Sequence, residues 1–148
     1  WGDGAATILD FYLEADDRPY PSAVGTGQTV TLRVAIKFHT DLVRPTFGVT
    51  IKTKTGVTVY GANSETLKCE DFMSKGRKDS VIVAEAVFCC RLAPGDYFIS
   101  VGVVTRLGED VSPHDRRYDA IHFQVLQAER FFGLVNLDLK LTAREMAS

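Results

Sequence analysis

The chain has 148 residues, 45% of them hydrophobic and 24% charged, ordinary globular values that exclude a disordered chain and suffice for one enclosed core without staples. Its formal net charge of -2, with scattered basic residues and an Arg116-Arg117 pair flanked by Asp115 and Asp119, argues against a nucleic-acid partner. No apolar run approaches the roughly 18–20 residues of a membrane span, and the opening Trp-Gly-Asp-Gly has neither an initiator Met nor a signal-peptide pattern. The expectation is therefore a single domain over residues 1–148, excised from a longer polypeptide.

Almost every segment has strand character. Ala6 to Ala15 alternates, which predicts Leu9, Phe11 and Leu13 on one face and Asp10, Tyr12 and Glu14 on the other. Asp16 to Gln28, with Asp-Asp, two prolines and two glycines, is a predicted loop. Thr29 to His39 gives the cleanest alternation, with Val30, Leu32, Val34, Ile36 and Phe38 inward and Thr31, Arg33, Lys37 and His39 outward. Phe47 to Ile51 and Val57 to Tyr60 predict a hairpin turning at Gly56, where a tight connection needs a positive φ.

Asn63 to Asp79 is a polar loop with room for one short helical turn. Val81 to Leu92 is strand, Ala93-Pro94-Gly95-Asp96 a turn, and Tyr97 to Val104 another long strand. Leu107 to Arg117 is a second predicted polar loop. Asp119 to Leu126 is a strand with Ile121, Phe123 and Val125 inward. Gln127 to Phe132 is a helical turn or hinge, and Gly133 to Thr142 a last strand, with Val135, Leu137, Leu139 and Leu141 on one side. About eight strands with long polar loops imply an all-β antiparallel β-sandwich, immunoglobulin-like or jelly-roll. The last strand either completes its own sheet or is exchanged with a second copy, which would make a dimer and cover a sheet edge.

Cys69, Cys89 and Cys90 show no metal-ligand spacing, and the neighbours Cys89 and Cys90 face opposite sides of a strand, so reduced thiols of a cytoplasmic protein are expected. No phosphate loop, zinc-protease helix or nucleophile elbow is present. His39, His114 and His122 are too dispersed to propose a metal site, and no cofactor is expected. Asp10 with Glu14, or Asp138 with nearby acids, would be the candidate glycosidase pairs, but 19 carboxylates make chance pairs certain.

What remains is a binding surface. Sugars are held by planar polar side chains and by aromatic rings lying against pyranose faces. Gly48, Thr50, Ser100 and Gly102 are small outward residues on strands expected in one sheet, leaving a shallow trough. Tyr60, Ser100, Arg106, Arg116, Tyr118, His122 and Gln124 are the candidate carbohydrate-binding residues. For each of them taken singly, covering a strand end or forming an exposed ion pair is the plainer role. Tyr12, Arg33, Lys37, His39 and Glu85 make a competing patch on the other sheet, and Val83, Val87, Phe131 and Phe132 would serve assembly if the domain were a protein-interaction module.

The succession of motifs resembles one family. GAATILDFYLEAD (Gly4 to Asp16), GTGQTVTLRVAIKF (Gly25 to Phe38), RPTFGVTIKTKTGVTVYGANSE (Arg44 to Glu65), LAPGDYFISV (Leu92 to Val101) and Phe123 to Thr142, ending GLVNLDLKLT, follow the order of the C-terminal domain of Wzt, the nucleotide-binding subunit of ABC transporters that export O-antigen polysaccharide. The loops at Asn63–Asp79 and Leu107–Tyr118 match no pattern. The resemblance implies a non-catalytic, carbohydrate-binding β-sandwich that recognises the non-reducing end of a finished glycan, with the ATPase upstream. It also implies a homodimer, in some members through exchange of the last strand, and tips that choice toward exchange. The implied partners are the O-antigen polysaccharide and the transporter membrane subunit, at the cytoplasmic face of the inner membrane. The family has no universal sugar-contacting motif, so the candidate residues rest on the surface argument alone.

Overall fold

A computed structural model describes residues 1–126 and 130–146. In chain order the elements are β1 (Ala6–Ala15), β2 (Arg18–Pro19), β3 (Val24–Gly25), β4 (Thr29–Phe38), β5 (Thr46–Thr53), β6 (Thr58–Asn63), α1 (Glu70–Met73), β7 (Val81–Cys89), β8 (Gly95–Leu107) and β9 (Asp110–Leu126). They form two sheets, one ordered β2-β1-β4-β7 and the other β3-β9-β8-β5-β6. All pairings between them are antiparallel except β3 with β9. The sheets pack face to face as a β-sandwich, the architecture expected of a chain built from half-apolar strands.

The alternation of β4 is realised in full: Val30, Leu32, Val34, Ile36 and Phe38 are each at most 1% exposed. From the opposite sheet, Ile51, Tyr97, Ile99, Val101, Val103, Phe123 and Val125 enter the same core. Each such side chain contributes roughly 1.5–3 kcal/mol of burial. One end is closed by α1, whose Phe72 lies between Phe38 and Phe47, with ring centroids 6.4 and 5.8 Å away. Cys89 is exposed and Cys90 buried, and both are free thiols.

Four expectations are corrected. In β1 a bulge between Ile8 and Asp10 inserts Leu9, which is 53% exposed, so the inward set is Ala6, Ile8, Leu13 and Ala15. Within Asp16 to Gln28, two residues add to each sheet as β2 and β3. The second polar loop is instead a hairpin. The pairing of β8 with β9 runs to Leu107 and Asp110, and only Gly108 and Glu109 turn, Gly108 at φ 62°.

The last strand does not form: Gly133 to Thr142 joins neither sheet, and among the described residues its one bridge is Leu92 with Val135. Two backbone bonds fix it there, Ala93 N–H to Leu134 O at 2.8 Å and Asn136 N–H to Arg91 O at 2.6 Å. Beyond them Leu137, Leu139 and Leu141 are 82%, 77% and 87% exposed, since none of the described residues covers them. Of the connector expected as a helical turn or hinge, residues 127–129 lie outside the described residues.

Candidate functional site

The outer face of the five-stranded sheet carries a trough of about 400 Å³. Its floor follows from register. Gly48 pairs with Asn63 and with Gly102, and Thr50 with Gly61 and with Ser100, so small residues of three adjacent strands line up on one face. The fold does not require two of these glycines. A Cβ at Gly48 would come no closer than 3.6 Å to any neighbour, and one at Gly61 no closer than 3.7 Å, ordinary contact distances at unstrained backbone. What their missing side chains provide is an open floor. Gly102 is tighter, with the Arg116 Cγ 3.3 Å from its would-be Cβ.

The walls are polar. At β9 the sheet carries a wide bulge: Val101 pairs with Arg117 and Ile99 with Ile121, leaving Tyr118, Asp119 and Ala120 opposite Ser100 alone. Asp119 takes φ 50° and donates its N–H to Ser100 Oγ at 2.9 Å. Arg116 and Tyr118, two residues apart on β9, both line the trough. Across it, Asn63 and Thr66 lock each other, Thr66 N–H donating to Asn63 Oδ1 at 2.8 Å and Asn63 N–H to Thr66 Oγ1 at 3.1 Å. Arg106, also lining the trough, lies 3.7 Å from Glu65 in an exposed pair that a ligand can displace at little cost.

Four of the seven sequence-derived site residues, Ser100, Arg106, Arg116 and Tyr118, are thus brought together. Three are not. Tyr60 pairs with Ile51 and faces the other concavity, where it remains 58% exposed, because a bulge at Val59 inverts the strand's parity. His122 and Gln124 share the outer face but lie beyond the Tyr118–Ala120 bulge, where His122 Nε2 meets Asp96 Oδ1 at 2.8 Å and its ring stacks on Phe98. Sequence reasoning missed Gly61, Asn63 and Thr66; the hairpin register with Gly48 and Thr50 was the signal that would have found them.

The first four residues lie along the outer edge of β9. Trp1 and Arg116 exchange backbone bonds of 2.7 Å each, Asp3 N–H donates to Pro113 O, and Gly4 N–H to His114 O. A chain of side chains fastens them. His114, 4% exposed, meets Asp3 Oδ1 through Nδ1 at 2.9 Å and Thr105 Oγ1 through Nε2 at 2.6 Å. The N–H of Ala5 first, and then His114, hold the Asp3 carboxyl below its ordinary range, so Nδ1 is the donor to it. The set has the composition of a hydroxyl-histidine-carboxylate relay, but the histidine is buried and Thr105 does not line the trough, so it fastens the segment.

In the competing patch Arg33 and His39 are already engaged by neighbours. Arg33 pairs with Glu14 and lies 3.5 Å from Glu85, and His39 Nε2 meets Thr7 Oγ1 at 2.9 Å. The carboxylates weighed as glycosidase pairs have partners too: Asp10 accepts from Phe11 N–H, Glu14 from Arg33, and Asp138 from Lys140. No group of three or more potential metal ligands occurs among the described residues.

A second concavity, about 760 Å³, runs between the edge strands β6 and β7 and is largely apolar. Leu32, Phe47 and Ile51 lie along it with Tyr60, Val83 and Val87.

The family model described as the Wzt C-terminal domain matches residues 1–137. A crystal structure of the C-terminal domain of Wzt superimposes with a TM-score of 0.85 at 27% identity, covering 97% of this chain and 87% of that one. No curated protein matches.

Proposed function

The chain belongs to the Wzt C-terminal domain family, and from that premise we propose that it serves polysaccharide export by an ABC transporter, as the module that recognises the non-reducing terminus of O-antigen polysaccharide without making or breaking a bond. The observation that carries this reading is the glycine-floored trough with two arginines, a tyrosine and a preorganised Asn63–Thr66 wall. It offers depth for one or two sugar rings, donors for their hydroxyls and an aromatic edge for their C–H faces. The binding set is Ser100, Arg106, Arg116 and Tyr118 with Asn63. His122 and Gln124 extend the same face for a longer glycan, and Tyr60 belongs to the other concavity. The domain is the C-terminal part of a longer subunit, working at the cytoplasmic side of the inner membrane against the transporter membrane subunit. It works as a homodimer, which raises the avidity of a shallow site.

Isothermal titration of the lipid-free O-polysaccharide of the host tests this. The wild-type chain should show saturable binding. Gly48→Leu, which fills the floor, and Arg116→Ala should each weaken it at least tenfold while leaving the melting temperature within a few degrees. Unchanged binding in both variants would place the glycan elsewhere.

A second reading, a protein-interaction sandwich without glycan affinity, is favoured by the apolar groove between β6 and β7 and the uncovered leucines of the arm. It predicts a tight oligomer and no heat with any polysaccharide.

A further inference from the structure

We propose that Trp1 is a specificity residue of the trough, the aromatic platform against which a bound pyranose ring lies. This rests on the glycan-binding reading above and deepens it. Trp1 touches two of the trough's own residues: the Arg116 guanidinium lies 5.3 Å over its ring, and the Tyr118 ring centroid is 6.2 Å away. The indole is nevertheless 61% exposed, so it stands at the rim with surface left for a ligand. A pyranose presents a C–H face that packs on an indole and an equatorial belt of hydroxyls that hydrogen-bond in the ring plane. Arg116, held against Trp1 by cation–π attraction, offers the guanidinium N–H groups beside that platform, with the geometry to meet vicinal hydroxyls. The ligand class is therefore a sugar ring with an unbroken C–H face and neighbouring free hydroxyls.

The platform's position is built in. Trp1 and Arg116 bond reciprocally through their backbones, and the Asp3–His114–Thr105 chain anchors the segment two residues on. Between these anchors the backbone passes so close to β9 that a Cβ on Gly2 would sit 2.3 Å from His114 O. Any side chain there must lift the segment, and Trp1 with it.

Trp1 is the chain's single tryptophan, so its emission reports this one place. Titration of the full chain with the host's lipid-free O-polysaccharide should shift or quench that emission, saturating at the concentration found by calorimetry. Trp1→Ala should raise Kd at least tenfold. Trp1→Phe should recover part of the loss, and Gly2→Ala should weaken binding with the tryptophan still present. Calorimetric binding that Trp1→Ala leaves within twofold, or that does not move the emission, overturns the platform while leaving the trough standing. Absence of any polysaccharide binding by the wild-type chain brings down the glycan reading, and the platform with it.

Discussion

Asp115 is buried, yet it carries its carboxylate into the seam between the two sheets. Ile8 N–H, on the open side of β1, donates to its Oδ2 at 2.8 Å, and Arg117 adds Nε at 3.1 Å and Nη2 at 3.2 Å. Arg117 Nη2 also donates to Ile8 O at 3.0 Å, so both polar backbone groups of an unpaired strand edge are satisfied from the opposite sheet. Burial pushes the Asp115 carboxyl up, but the bonds from Arg117 and Ile8, with the guanidinium's charge, outweigh it and hold the group below its ordinary value. A depressed carboxyl stabilises the fold at all pH above its unfolded value of about 3.9 and loses that contribution as pH falls through its folded value. Asp3 is depressed as well, so acid acts on both places at once. Asp115→Asn should lower stability by about 2 kcal/mol at neutral pH, by urea titration, and should flatten the fall in Tm between pH 5 and pH 3. A variant that follows the wild-type acid profile would show that the charge does not matter there.

At the scale of elements, α1 is four residues long and could not persist alone. Its role is to deliver Phe72, 8% exposed, between Phe38 and Phe47 at the end of the sandwich. Phe72→Ala should cost about 3 kcal/mol and roughly 6–12 °C in Tm, whereas truncating the exposed Leu67 in the preceding loop should cost little. The loss should leave trough binding unchanged, because α1 contributes no residue to it. Elements of this kind mark where sequence stops being readable. Strand parity was legible wherever an apolar residue recurs every second position, as in β4. It failed at Leu9 and Val59, where one inserted residue inverts the pattern and nothing in the local composition announces it. That inversion is why Tyr60 was expected at the site. The polar stretch after Leu107 resembles a loop because both faces of that hairpin end are largely exposed, so pairing there leaves no apolar trace. The trough itself was half legible. Its small residues and arginines stand out once the strands are aligned, but Trp1 is brought to it only by tertiary docking.

The whole molecule has two incomplete surfaces that complement each other. Its sheets are open on the same side, between β6 and β7, where the apolar groove lies. The β7 edge there is nine residues long, flanked by exposed Val81, Val83 and Val87, the kind of edge that invites another strand. The arm beyond Asn136 carries leucines at 137, 139 and 141, the period of a strand with one apolar face and no sheet to lie on. Tethered to its own chain at Leu92, it can extend about 30 Å from that point. An arm entering the groove of a second copy, and receiving that copy's arm in return, covers both liabilities by a closed two-fold exchange. On this basis the wild-type chain should run as a dimer in light scattering down to low micromolar concentration. Leu137→Asp, Leu139→Asp and Leu141→Asp together should convert it to a monomer that binds a hydrophobic dye in the open groove. The trough lies on the outer sheet face and meets the groove at Val49, Ala62 and Asn63, but Ser100, Arg106, Arg116 and Tyr118 line the trough and not the groove. The monomer should therefore keep its affinity for a short saccharide while losing it for a polymer that two sites engage together. A wild-type monomer, or a triple variant that remains dimeric, would show that another surface closes these edges.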